Sequence, residues 1–342
     1  MKTCYIHSVV SISAQDSFSE NDTIFEVREY SDYKISAVHP PYRDFIPLSQ
    51  LRRMSPAVKM GVAASKKALE KGNVEQPDAI ITGSGLGCMA DTETFLNTLL
   101  ENDEQFSTPT AFIQSTHNTV AGQIALGLKC KAYNTTYAHG SVSFESALVD
   151  AQLQIEAGEA KNILVGGVDE LGTEFMDYVH LVEQKQMQPI QVSLSEGATF
   201  CVLSSEKKEG AVAVLKAVEI RSKIAEENII TEMHDFLKTN KVKPSEIDAV
   251  VLGNNGDAFD VYYENLQQQL FPETDCLQYK KYVGEFFTAS GFAFWMGAQL
   301  IEGYTLPKNF FIRKAESKPY KTVLLYNQFK GSQHSFVLLT QC

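Results

Sequence analysis

The chain has 342 residues, 44% hydrophobic and 21% charged, with 30 Lys and Arg against 42 Asp and Glu for a net charge of −12. These fractions are globular and exclude long disorder, collagen-like repeats and a disulfide-stapled miniprotein. The acidic surface repels nucleic-acid phosphates and no apolar run approaches the ~18 residues of a membrane span, so neither nucleic acid nor a bilayer is an expected partner.

The first twenty residues carry a short apolar patch without the long apolar core of a secretion signal. Residues 55–71 predict a helix, with Ser55 as N-cap, Pro56 in the first turn and Gly72 at the C′ position. A strand at 79–82 ends in the turn Gly83-Ser84-Gly85-Leu86-Gly87. The strand-like YNTTYA (133–138) leads through His139-Gly140-Ser141 to a helix over 145–157 closed by Gly158, then to a strand at 163–167. This alternation predicts an α/β fold with parallel strands. Residues 63–87 are echoed by 230–257: each is a helix, a polar loop with Pro, an Asp-Ala strand (Asp78, Asp248) and a Gly-containing turn. Spaced half a chain apart, they predict a duplicated unit, with halves 1–205 and 206–342 meeting near Ser204–Gly210.

The chemistry-bearing motifs are individually weak. The glycine turn lacks the last Gly of GxGxxG, since Cys88, Met89 and Ala90 follow, so close backbone contact is expected rather than a nucleotide. Ser141 is not set in GxSxG. It is a helix-starting or pocket-lining serine unless His139 and Glu145 form a relay with it. Seven histidines show no HxH or HxxxH, and the six cysteines (4, 88, 130, 201, 276, 342) show no CxxC. No metal or other cofactor is expected, and the thiols predict a reducing, cytoplasmic setting. The basic pairs Arg52-Arg53, Lys66-Lys67 and Lys280-Lys281 are solvated faces or a dock for an acidic partner. Phe286, Phe287, Phe292, Phe294 and Trp295 suit a core or the lining of an acyl tunnel.

Eight segments in order resemble the β-ketoacyl-ACP synthases (ketosynthases) of the thiolase fold. They are LRRMSPAVKMGVAASKKAL, GSGLG, STHNTVAGQIAL, AGEAKNILVGGVDE, SEGATFCVL, PSEIDAVVLGNNGD, YKKYVGEFFTASG and, loosely, YNQFKGSQHSFVLL. The resemblance covers nearly the whole chain and implies a five-layer αβαβα architecture with two pseudo-duplicated halves. In that family a Cys at a helix N-terminus accepts an acyl group from a carrier protein, and two His stabilise the charge formed as malonyl-ACP loses carbon dioxide. On this resemblance Ser141 stands at the Cys position (His139 on an alternative count), Asn255 at the first His and Glu285 at the second, while Lys280 keeps the family Lys. A serine hydroxyl is a far weaker acid than a thiol, and a carboxylate has the wrong sign for an oxyanion site. Glu285 is expected to pair with Lys280 instead.

The chain therefore resembles the chain-length-factor subunits, especially those of aryl-polyene and dialkylresorcinol clusters. These imply a non-catalytic partner of an active ketosynthase (or a homodimer), together with acyl carrier protein and an acyl chain. The alternatives are an acyltransferase or hydrolase on Ser141, a malonyl-ACP decarboxylase on Lys280, or an acyl-ligand-binding module.

Overall fold

The computed structural model describes residues 2–19, 26–105, 109–314 and 319–342. The first half runs β1 (Cys4–Ile12), α1 (Leu48–Leu51), α2 (Pro56–Lys71), β2 (Ala79–Gly83), α3 (Met89–Glu101), α4 (Pro109–Gln114), α5 (Thr119–Leu128), β3 (Tyr133–Tyr137), α6 (Ser143–Ala157), β4 (Asn162–Asp169), α7 (Phe175–Glu183) and β5 (Gly197–Ser204). The second runs β6 (Ala213–Ser222), α8 (Ile229–Thr239), β7 (Ala249–Leu252), α9 (Val261–Asn265), β8 (Asp275–Gln278), α10 (Lys280–Val283), α11 (Ser290–Glu302), β9 (Phe311–Arg313), β10 (Thr322–Phe329) and β11 (Gln333–Thr340).

The strands lie in the order β3-β2-β4-β5-β1-β6-β11-β10-β7-β8-β9. Apart from β9, this order is a palindrome of one unit. The triplets β2-β3 with β4 and β7-β8 with β10 are parallel, and β5 and β11 run antiparallel to both of their neighbours. The duplication extends to single hydrogen bonds. Asp78 accepts from the Lys161 and Asn162 amides at 3.0 and 2.9 Å, and Asp248 accepts from those of Lys321 and Thr322 at 2.8 and 3.0 Å. The halves meet where β1 and β6 pair over only Cys4–Ile6 and Ala213–Leu215.

Three apolar clusters define the layers. Helix α2 covers the outer face of the first half of the sheet, packing Met60, Ala64 and Ala68 against Phe200 and Val202. Helix α8 covers the second, through Met233, Phe236 and Leu237 against Val250 and Leu338. Helices α6 and α11 fill the space between the two halves of the sheet. Every residue from Ser290 to Ile301 is buried, as a helix with sheet on both sides must be. The result is αβαβα.

Ser55 caps α2, accepting from the Val58 amide at 3.4 Å. The left-handed residue that follows is Asn73 (φ 49°) rather than Gly72 (φ −75°). Gly72 is required for a different reason: a Cβ there would lie 2.9 Å from Val202 Cβ.

His334 on β11 is wholly buried. Its Nδ1 lies 3.0 Å from the Tyr326 hydroxyl and its Nε2 3.1 Å from the Gly331 carbonyl. Since the carbonyl only accepts, Nε2 donates; burial lowers the ring's pKa from 6.5 and so favours its neutral form. The unfolded chain then binds the proton more readily, so this contribution to stability is present above pH 6.5 and lost below it. Urea midpoints are expected to show a difference between wild type and H334Q that shrinks from pH 7.5 to 5.5 (a ~2-unit span across the His range).

Candidate active site

The glycine turn after β2 is occupied by the protein's own carboxylate. Asp169 Oδ1 accepts from Ser84 Oγ (3.0 Å), Gly85 N (2.8 Å) and Leu86 N (3.0 Å). Its Oδ2 accepts from Thr288 N and Oγ1, both at 2.9 Å. Burial pushes this carboxyl's pKa up, and these donors pull against it. The amides of the turn are thus committed, in keeping with a close-contact turn: a Cβ on Gly85 would lie 2.3 Å from Phe287 Cβ.

The β3–α6 turn places His139, Gly140 (φ 58°) and Ser141 ahead of α6. A relay of Ser141 with His139 and Glu145 does not form, and Ser141 stands as a buried serine ahead of the helix. Ser141 Oγ donates to Gln333 Oε1 at 2.8 Å, His139 Nδ1 lies 3.0 Å from Ser146 Oγ, and Glu145 Oε1 accepts from Ser335 Oγ at 2.9 Å. The reason is directional: α6 turns Glu145 inward into the core, while His139 stays at the exposed end of the turn. Burial raises the Glu145 pKa, and its Oε2 has no hydrogen-bond partner.

Asn255 follows β7. The Asp260 carboxylate accepts from the backbone N–H of Asn255 (2.9 Å) and of Gly256 (2.9 Å), while the buried side-chain Oδ1 of Asn255 is unpartnered. Lys280 Nζ meets Glu285 Oε2 at 2.6 Å, with the two side chains 1% and 7% exposed. The expected pair is therefore present, and Lys280 is not a solvated cation. The same correction applies to Lys66 and Lys67, whose ammonium groups donate to the Phe45 and Phe18 carbonyls; Arg52 and Arg53 remain exposed.

The segment 190–195 straps these pieces together. The Gln191 amide donates to Asn255 O (2.8 Å), the Glu285 amide to Ser193 O (2.8 Å), and the Ser195 amide to Glu285 O (2.9 Å). The glycines permit this approach: a Cβ on Gly284 (φ 80°) would lie 2.3 Å from Ser195 Cβ. Like charges reinforce one another here. Burial first, then the Glu285 and Glu145 charges, push the Tyr279 phenol well above its ordinary pKa. Asp257 is raised by burial and by Asp260 and Glu285, with Lys280 opposing.

The structure thus brings Asn255, Lys280 and Glu285 under one strap, while Ser141 and His139 gather on Gln333. Phe287, two residues past Glu285, spans the gap to within 4.0 Å of where a Gly140 Cβ would stand. Sequence reasoning missed Gln333 and the Asp169 clamp. Both lie in segments that carry the resemblance, Asp169 in AGEAKNILVGGVDE and Gln333 in YNQFKGSQHSFVLL, but nothing local to either segment names the groups it meets. Among the described residues no cluster of three His, Cys, Asp or Glu side chains suits a metal, no cysteine is bonded, and no helix is long and apolar enough to cross a membrane.

Residues 28–242 match the family model described as Beta-ketoacyl synthase, N-terminal domain. No curated protein matches the chain. Among solved structures, similarity extends to a beta-ketoacyl synthase from Burkholderia phymatum, with TM-score 0.79, 15% identity and all of both chains covered. The ishigamide ketosynthase/chain length factor gives 0.79 at 15% identity, covering 100% of this chain and 99% of that one. The ketosynthase ApeO in complex with its chain length factor ApeC, from Xenorhabdus doucetiae, gives 0.76 at 15% identity, covering 100% and 98%.

Proposed function

The chain belongs to the β-ketoacyl synthase family, and from that premise we propose that it is a non-condensing, chain-length-factor-like partner of a Cys-bearing ketosynthase. The pathway we favour is of the aryl-polyene or dialkylresorcinol type. The observation that carries the proposal is the closed Lys280–Glu285 pair. Malonyl decarboxylation develops negative charge, and a site that stabilises it needs donors or cations free to face it. Here the one retained cation is spent on a neighbouring carboxylate, and Ser141 is spent on Gln333.

The surface supports a partner. Among the described residues β3 pairs only with β2, leaving an outer edge of backbone donors and acceptors. Leu96, Leu100, Phe112, Ile113, Leu126 and Tyr133, on α3, α4, α5 and β3 itself, are exposed apolar or aromatic side chains. Such a concentration marks an interface. The exposed pair Arg52-Arg53 offers an acidic carrier protein a cationic contact against the net charge of −12. Arg53 rims a cavity of about 340 Å³ walled by Val58, Val62 and Ile124.

Co-expression with a Cys-bearing ketosynthase encoded beside it, followed by size exclusion, is expected to yield a heterodimer. The isolated protein is expected neither to decarboxylate malonyl-ACP nor to take an acyl label at Ser141. Failure to form the complex, or turnover by the isolated chain that is lost in K280M, overturns the reading.

A further inference from the structure

Gln333 opens β11, 192 residues from Ser141 in sequence, yet its amide closes on the β3–α6 turn with both ends. Its Oε1 accepts the Ser141 hydroxyl proton at 2.8 Å, and its Nε2 donates to the His139 carbonyl at 3.1 Å. Only this orientation of the amide serves, because the carbonyl can only accept. The same side chain lies 3.4 Å from where a Gly140 Cβ would stand, with Phe287 beside it. Ser141 is 2% exposed.

The backbone that presents Gln333 is held from several sides. The preceding turn places Lys330 and Gly331 at positive φ, as a tight hairpin demands. Gln328 Oε1 accepts from the Gly331 amide (2.9 Å), and its Nε2 donates to Phe259 O (3.3 Å). His334 holds the Gly331 carbonyl, and Lys330 is paired with Glu183. Gln333 itself pairs with Ser222 and Phe329.

We propose that Gln333 is an autoinhibitory stopper: its amide fixes the Ser141 hydroxyl as a hydrogen-bond donor and fills the approach to it, so that no electrophile, an acyl thioester included, reaches this turn. The hydroxyl proton points at the amide oxygen, which at neutral pH cannot take it up. Ser141 is thereby withdrawn as a nucleophile by a side chain from the other half of the molecule. This holds whether or not the protein pairs with a ketosynthase.

The test uses the full chain carrying S141C and a small alkylator, iodoacetamide. The cysteine sulfur bonds the methylene carbon, iodide leaves, and the thiol proton passes to buffer. Peptide-level mass spectrometry reads position 141 beside the exposed native Cys342. In S141C, labelling at 141 is expected at least ~10-fold slower than at Cys342. Adding Q333A or Q333S, read side by side so that loss of fold in one leaves the other, is expected to speed it ~10-fold or more, at an unchanged Cys342 rate. Q333L, which keeps the bulk, is expected to stay slow. Labelling of S141C as fast as Cys342, no acceleration in a folded Q333A or Q333S variant, or a fast Q333L variant overturns the proposal.

Discussion

Replacing Lys280 by Met while Glu285 stays is expected to cost about 3–5 kcal/mol, the range for stripping one partner from a buried ion pair. The loss is expected to be unequal between the two partners. Without Lys280, Glu285 loses its buried partner and Glu145 loses the cation that offsets its burial, so two buried carboxyls are left uncompensated. Without Glu285, Lys280 keeps Glu145 as a neighbouring anion, so E285L is expected to cost less than K280M. The double variant K280M/E285L removes the desolvated pair together and is expected to lie closer to wild type than K280M alone. Urea midpoints of all four proteins give the coupling directly. The K280M penalty is also expected to shrink as pH falls, because burial raises the Glu145 pKa and that carboxyl, once it has lost the Lys280 charge, takes up a proton and ceases to be an unpaired charge. A K280M midpoint equal to wild type, or a larger loss in E285L, contradicts this account.

Replacing Asp169 by Asn is expected to cost about 3–5 kcal/mol, since an amide keeps one acceptor where five donors converge. Whichever way the amide turns, its NH2 faces N–H or O–H groups that lose their acceptor. The contacts bridge the halves, tying the glycine turn after β2 to Thr288 ahead of α11. Hydrogen exchange is therefore expected to speed at the Gly85, Leu86 and Thr288 amides together, with much less change at α8. Exchange that rises on one side only means that the carboxylate does not couple the two segments.

The α/β character and the duplication were legible because they rest on local patterns. Capped helices, β-branched strands and the Asp-Ala strand starts repeat in register, and Asp78 and Asp248 do the same work in both halves. The Lys280–Glu285 pair was also within reach, lying on one short stretch of chain. What escaped depends on distant segments. Nothing around Gln333 announces a contact with Ser141, and Glu145 and His139 look adjacent until the helix turns one inward and leaves the other out. The Lys66-Lys67 pair has the composition of a solvated face, but carbonyls from an unrelated loop take up both ammonium groups. Gly72 was assigned a conformational role, while its actual constraint comes from Val202 on β5, more than a hundred residues on.

The three-residue seam between β1 and β6, with α6 and α11 shared as a common filling, has a consequence for synthesis. As the chain leaves the ribosome, the first five strands can assemble, yet the inner face of α6 stays wet until β6 and α11 arrive. The nascent N-terminal portion therefore carries a sticky surface for more than eighty residues of further translation, a window in which chaperone engagement decides the yield. Severed between β5 and β6, the gene is expected to give two insoluble products that recover only when made together.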